Sequence, residues 1–187
     1  MYTFARLSIY VPRGCFPPNL ISTDALLLAT LRKVQSPVGD MGTGVGSLAL
    51  AVSALTGFET VGTDTNITCL KAARINAIKN RVYHLFHPVA CDLLRAIRDS
   101  ALGSVVANPP YLPLDPADPL DTLTCCGHDL RLYKEALKEA LRVVRPGGSF
   151  VFSASSLTAS RIEGARKVLS VWAGLDKVLI YECKRPD

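Results

Sequence analysis

From Val38 onward, short apolar runs alternate with longer segments whose apolar residues recur at helical spacing, and this alternation leaves few folds open. Strands separated by helices are parallel strands joined by crossovers, and such a sheet takes helices on both faces. The pattern predicts strands at Val38–Met41, Thr60–Asp64, Leu85–Asp92, Ser104–Asn108, Ser149–Ala154 and Lys177–Cys183. Between them it predicts helices at Val45–Leu55, Ile67–Lys79, Leu130–Val144 and Ala159–Ala173, with a short helix after Asp92. The long helix stops at Arg145-Pro-Gly-Gly, where proline cannot continue a helix and the glycines turn freely. Ahead of this core, Leu7–Val11 reads as a strand closed by Pro12, and Cys15-Phe-Pro-Pro-Asn as irregular. Ser22 or Thr23 then caps a helix carrying Leu26, Leu27, Leu28 and Leu31. The expected fold class is α/β, a doubly wound and mostly parallel sheet. Residues 1–187 are expected to form one domain, with 1–36 as an N-terminal strand and helix and 37–187 as the core.

Hydrophobic residues make up 49% of the chain and charged ones 20%, which excludes a disordered tail and leaves enough apolar side chain for a core. The most apolar window, residues 48–55, is far shorter than the ~20 residues that span a bilayer, and the first 16 residues hold no uninterrupted apolar run. A cytoplasmic protein with no membrane association is expected. The net charge of +5 favours an anionic partner such as RNA, but Lys and Arg are spread along the chain, apart from Lys184-Arg185. Six cysteines show no CxxC pair and no histidine at ligand spacing, so no metal site is expected. Buried thiols are the expected state, with disulfides admitted for a hyperthermophilic source.

Between the first core strand and the first core helix stands GDMGTGVG, Gly39 to Gly46. Glycines at 42, 44 and 46 let backbone approach a ligand and aim helix N–H groups at the carboxyl ends of the strands. The spacing is DxGxGxG rather than GxGxxG, and Asp40 would repel a pyrophosphate at this turn. A cationic ligand without phosphate fits, and S-adenosyl-L-methionine, with its ammonium and sulfonium, has that character. Asp64, followed by Thr65, ends the next strand at the distance where a carboxylate accepts from ribose hydroxyls. Asp92, followed by Leu93, stands where a third carboxylate reaches an adenine amine. Each aspartate alone reads as an ordinary turn residue; the glycines between them shift the balance to a cofactor site of Asp40, Gly42, Thr43, Gly44, Gly46, Asp64, Thr65, Asp92, Leu93 and Asn108.

The stretch VVANPPYLP carries the second signal. Asn108 precedes a proline and leaves its strand extended, while Pro109 and Pro110 contribute no N–H, so carbonyls are the only main-chain hydrogen-bonding groups along this lip. Asn108 adds a side-chain oxygen and Tyr111 an aromatic face. Two acceptors and a ring match one need: holding a planar amino group by its hydrogens while its lone pair is aimed at an electrophilic methyl. Orientation and electrostatics would then carry catalysis without a strong base. Asn108, Pro109, Pro110 and Tyr111 are the candidate catalytic set.

DMGTGVG, the strand-ending Asp64 and NPPY together resemble the class I S-adenosylmethionine-dependent methyltransferases, in their amino-group branch. NPPYLP, Gly127-His-Asp before a long helix, and VVRPGGSFVF are similar to the HemK family of protein-glutamine N5-methyltransferases. The short archaeal and eukaryotic members fit best, because the bacterial form carries an extra N-terminal helical domain for which this chain has no room. The similarity covers most of the chain. It implies a Rossmann-like fold and, as acceptor, the glutamine of the Gly-Gly-Gln loop in a peptide chain release factor. Lysine or a nucleobase stays open, the latter as an adenine N6 or guanine N2 in RNA or DNA. The resemblance further implies a small zinc-binding activator subunit as a partner. The family places an acidic residue before Ser/Thr ahead of its leucine-rich helix, whereas this chain reads Ser22-Thr23-Asp24, so neither Thr23 nor Asp24 is assigned a cofactor-gating role. Such folds end on an antiparallel pair of strands, and only one is predicted here. The sheet is therefore expected to lack its last strand, leaving an edge for a homodimer or a partner strand.

Of the histidines, His84 and His87 read as surface residues, while His128 borders a loop, Leu112 to Gly127, long enough to act as a substrate lid. Asp115, Asp118 and Asp121 in that loop would repel a phosphate backbone and favour a protein acceptor. Phe150, Phe152 and Trp172 are expected in the core, and Arg161, Arg166 and Lys167 on a solvated helix face.

Overall fold

The structure is a computed structural model that describes residues 1–18, 21–118, 121–174 and 176–187, and the side chains of these except Thr122 and Arg161. Asn19 of the irregular N-terminal stretch and the side chain of Arg161 thus lie outside the described residues.

A hairpin of β1 (Tyr2–Phe4) and β2 (Leu7–Ile9) leads to α1 (Ile21–Leu31). The alternation then runs β3 (Val38–Met41), α2 (Ser47–Thr56), β4 (Thr60–Asp64), α3 (Ile67–Lys79), β5 (Phe86–Ala90), β6 (Leu102–Ala107), α4 (Arg131–Val143) and β7 (Val144–Ser155). β8 (Arg166–Ala173) and β9 (Asp176–Lys184) close it. Among the described residues seven strands form one sheet in the order β5-β4-β3-β6-β7-β9-β8, with β9 antiparallel to both of its neighbours and the other pairs parallel.

Residues alternate between the two faces of the sheet, as the two-residue period of a strand requires. Val106 and Val151 pack with α1, α2 and α3 on one face, while Val105, Phe150 and Phe152 pack with α4 on the other. Continuous burial along β6 follows from this covering of both faces. Pro88 is tolerated in β5 because that strand lies at an edge.

The chain runs from β3 outward through β4 to β5, then returns to place β6 on the other side of β3. The crevice between β3 and β6 is therefore the point where strand order reverses, where open α/β sheets bind ligands.

Several expectations are corrected. The last strand is not missing: Arg166–Ala173, read as the end of a helix Ala159–Ala173, is β8, preceded by a short 3-10 turn at Ala159–Arg161. Val168, Leu169, Val171 and Trp172 suit a pleated surface, and Gly164 and Gly174 bound the strand in left-handed turns (φ +72° and +68°). With seven strands in place, the ground for a dimer through a vacated edge is gone. Trp172 is not core but 65% exposed, with the Lys177 ammonium 4.4 Å from its ring centroid. Arg166 and Lys167 lie on a strand, and Arg166 pairs with the buried Glu182 at 2.7 Å. The short helix after Asp92 is a run of turns, held from α4 by Arg142, which donates to the carbonyls of Leu94 and Ile97 at 3.0 and 2.9 Å. The Cys15 and Cys69 thiols, expected free, form a disulfide that ties the N-terminal segment to the first turn of α3.

No helix among the described residues is long and apolar enough to cross a membrane.

Candidate functional site

A cleft of 410 Å³ opens at the strand-order reversal, lined from β3 and its loop, from the ends of β4 and β5, and from Asn108, Pro109 and Pro110 after β6. Its size suits a small cofactor-sized molecule.

Asp40 lies in β3, 2% exposed, and its Oδ2 accepts from Thr43 Oγ1 at 2.7 Å and from the Ala49 amide at 3.1 Å. Gly46, the residue before α2, has no side chain to cap the helix, so Asp40 satisfies an amide of the first turn from the neighbouring strand. Burial outweighs these hydrogen bonds and pushes the Asp40 carboxyl up to about 6, with Asp64 adding repulsion. A cation entering the cleft would offset that cost.

Gly42 and Gly44 hold left-handed backbone (φ +73° and +53°), and nothing lies within 4 Å of where a Cβ would project. The loop thus presents bare backbone to open space, the arrangement expected of a ligand cradle. Gly46 serves packing instead, since it does not line the cleft and a Cβ there would stand 3.1 Å from Ala73 Cβ. The Thr43 amide donates to the Thr63 carbonyl at 2.8 Å, fastening the loop to β4. Asp64 accepts from the Gly44 amide through Oδ2 and from the Asn66 amide through Oδ1, each at 2.8 Å. Each oxygen keeps a lone pair for a further donor. Thr65, Asp92 and Leu93 line the same cleft, with Asp92 exposed and paired to Arg95 at 2.7 Å.

On the facing wall, the Asn108 side chain bridges two elements. Its Oδ1 accepts from the Ser153 hydroxyl of β7, and its Nδ2 donates to Thr23 Oγ1 of α1 at 3.4 Å. Tyr111 is not brought into the cleft lining: its ring packs against the α4-side core, and its amide donates to the Thr124 carbonyl at 2.9 Å. The loop after it folds back through Thr124 and Cys126 and contributes Leu123 to the cleft. His128 stays outside, exposed, with Nε2 3.7 Å from Asp115 Oδ2. His84 and His87 flank a separate surface depression beside β5.

Sequence reasoning missed Phe16, Pro18 and Cys69 at the start of α3, and set Thr23 aside; all four line the cleft, and Ser22 and Thr23, expected as caps, lie inside α1. The leucine-rich register of α1 was a usable signal for Thr23, since a residue one turn ahead of Leu26 and Leu27 shares their inward face. No local signal marks Phe16, which reaches the cleft because its segment is bridged to α3.

The methyltransferase small domain family matches residues 13–163. A release factor glutamine methyltransferase from Bradyrhizobium diazoefficiens is 31% identical over 69% of this chain and 47% of its own length. One from Caulobacter vibrioides is 30% identical over 76% of this chain and 52% of its own. The chain thus spans about half the length of these curated relatives. Among solved structures, an RNA methyltransferase from Salinibacter ruber in complex with S-adenosyl-L-homocysteine superposes with a TM-score of 0.59 at 18% identity, covering 88% of this chain and 90% of that one, a likeness of fold. With most of its length matched, from the N-terminal segment past β7, the chain belongs to the methyltransferase small domain family.

Proposed function

We propose that this chain is an S-adenosyl-L-methionine-dependent N-methyltransferase acting on a planar amide nitrogen, the glutamine of a release-factor Gly-Gly-Gln loop. The observation that carries the reading is that one cleft holds both parts: open glycine backbone between two strand-end aspartates on one wall, and an acceptor-rich Asn-Pro-Pro lip on the other. The names of the relatives, and a fold neighbour that holds S-adenosyl-L-homocysteine, support it.

In this reading Asp40, Gly42, Thr43, Gly44, Asp64, Thr65, Asp92 and Leu93 form the cofactor wall, and Gly46 acts by setting the start of α2. Asp64 receives ribose hydroxyls on its remaining lone pairs, and buried Asp40 favours the ammonium end. The cofactor supplies a methyl group made electrophilic by its bond to a sulfonium. Asn108 Oδ1 and the Pro109 carbonyl accept the two amide hydrogens of the substrate and turn its nitrogen lone pair toward the cleft. Held this way, the amide nitrogen would be aimed at that methyl group, and once methylated it would give up its extra proton to water. Pro110 stiffens the lip, and Tyr111 supports it from the core side rather than by stacking on the acceptor.

We read residues 1–187 as one domain, working in the cytoplasm where release factors act, and the resemblance adds a small zinc-binding activator subunit that co-purification would reveal. The basic charge favours the rival reading, a nucleic acid amino group, and the acidic Asp115, Asp118 and Asp121 oppose it. Labelled cofactor with purified protein and a methyl-deficient extract separates the two. Label released by protease supports the glutamine acceptor, and label released by nuclease overturns it.

A further inference from the structure

The catalytic reading asks one thing of Asn108 that its own backbone does not provide. A carboxamide has an oxygen edge and an amino edge, and free rotation about χ2 would offer either to the substrate. Only the oxygen edge accepts a substrate N–H.

Two hydroxyls meet this side chain from different elements. The Ser153 hydroxyl donates to Asn108 Oδ1, and Thr23 Oγ1 accepts from Asn108 Nδ2 at 3.4 Å. Ser153 is fully buried and Thr23 is 4% exposed, so both hydroxyls are largely shielded from bulk water while Asn108 itself stays half-buried at the cleft. The sheet register accounts for the first contact: Ala107 of β6 stands opposite Phe152 of β7, which brings the next residues, Asn108 and Ser153, side by side. Ser153 is itself held from the opposite face of the sheet. Tyr133 of α4, 8% exposed, donates its phenol hydrogen to the Ser153 carbonyl at 2.9 Å. A chain of contacts therefore runs from α4 through β7 to the lip and on to α1, with Asn108 as the link between β7 and α1, lining the cleft.

We infer that Ser153, with Thr23 as its counterpart, is the positioning residue that fixes the orientation of the Asn108 carboxamide, leaving one lone pair of Oδ1 directed at the acceptor nitrogen. This rests on the proposed N-methyl transfer. Neither hydroxyl reacts; each acts through Asn108. Removing the Ser153 hydroxyl leaves the amide held by the long 3.4 Å contact to Thr23 and loosens its aim, and misaiming a catalytic contact by about 1 Å costs up to ~100-fold in rate.

The test compares Ser153→Ala, Ser153→Thr and Asn108→Ala in the full chain, with a Gly-Gly-Gln peptide as acceptor. The expected result for Ser153→Ala is a fall in kcat of about 10- to 100-fold, with cofactor Kd by calorimetry and acceptor KM each changed by less than about threefold. Ser153→Thr, which keeps the hydroxyl, is expected to restore most of kcat. A purely structural role would lower the Tm and cofactor affinity together and would not show that kinetic split. If Ser153→Ala fails to fold, Thr23→Val, matched in shape, decides by the same split. Wild-type kcat in Ser153→Ala, or in Thr23→Val in its place, alongside an inactive Asn108→Ala would overturn the inference and leave the transfer reading standing. Full activity in Asn108→Ala, or no cofactor binding by the wild type, would instead overturn that reading.

Discussion

The two walls of the cleft are built by different means. The cofactor wall is mostly main chain: Gly42 and Gly44 in left-handed turns, the Thr43 amide fastened to β4, and two aspartates that accept backbone amides. The acceptor wall depends on side chains from distant parts of the sequence, with Asn108 held between Ser153 and Thr23. A wall of backbone is specified by a few adjacent residues and tolerates change elsewhere. A wall of converging side chains requires several elements to arrive in register. Mutations should therefore separate the walls, the first altering cofactor affinity and the second turnover.

The harshest way to break this contrast is to cut the Cys15–Cys69 bridge, which closes a loop of 54 residues and holds Phe16 and Pro18 against the cofactor wall. By chain entropy such a loop contributes about 4 kcal/mol. Cys15→Ser is expected to lower stability by roughly that amount in chemical denaturation and to raise the cofactor Kd. An unchanged Kd would show that the segment is no part of the cofactor wall.

Next in size is Asn108→Ala, expected to lower kcat by about 100-fold or more, as loss of a preorganised charge-stabilising contact does, while cofactor Kd by calorimetry stays within about threefold. A matching loss of cofactor affinity would erase the division between the walls.

A milder test uses pH on Asp40, whose carboxyl is pushed up to about 6 by burial. The folded state holds this proton more tightly than the unfolded chain, so the ionised form costs stability above pH 6 and that cost fades as pH falls from about 6 toward 4. Affinity for a cationic cofactor needs the carboxylate and should move the other way, weakening up to about tenfold per pH unit below 6, the limit for one proton. Asp40→Asn should flatten both slopes. Parallel rather than opposed slopes would remove Asp40 from the cofactor's surroundings.

The smallest expected effect is a control from outside both walls. Trp172→Ser, at an exposed site on β8, should change unfolding free energy by about 1 kcal/mol or less, the scale of its contact with Lys177, and leave both kcat and Kd alone. A loss of turnover would mean that the edge strand reaches the site.

Much of the parallel core was legible because its rules are local. The boundaries of β3, β4 and α3 match those read from the apolar pattern of the sequence, and Gly46 and Gly57 bracket α2 in left-handed turns. The error at β8 has a physical source. Arg161, Arg166 and Lys167 were read as a solvated helix face, but β9 offers a pairing edge that a short sequence window cannot represent. Burial of Trp172 failed for the same reason, since hydrophobicity does not say which strand is outermost. Tyr111 was assigned to the acceptor from its place in the motif, whereas the fold-back through Thr124 turns it to the core.

By itself the sequence determined the alternation of strands and helices, the glycine turn that needs positive φ, the carboxylates at two strand ends and the proline lip without amide donors. All of these follow from neighbours a few residues apart. Tertiary structure decided that Asp40 caps a helix while facing the cleft, that Cys15 meets Cys69, and that Ser153 and Thr23 take hold of Asn108. Those contacts join residues 9 to 85 positions apart, and their geometry depends on strand order and register, which exist only once the sheet has formed.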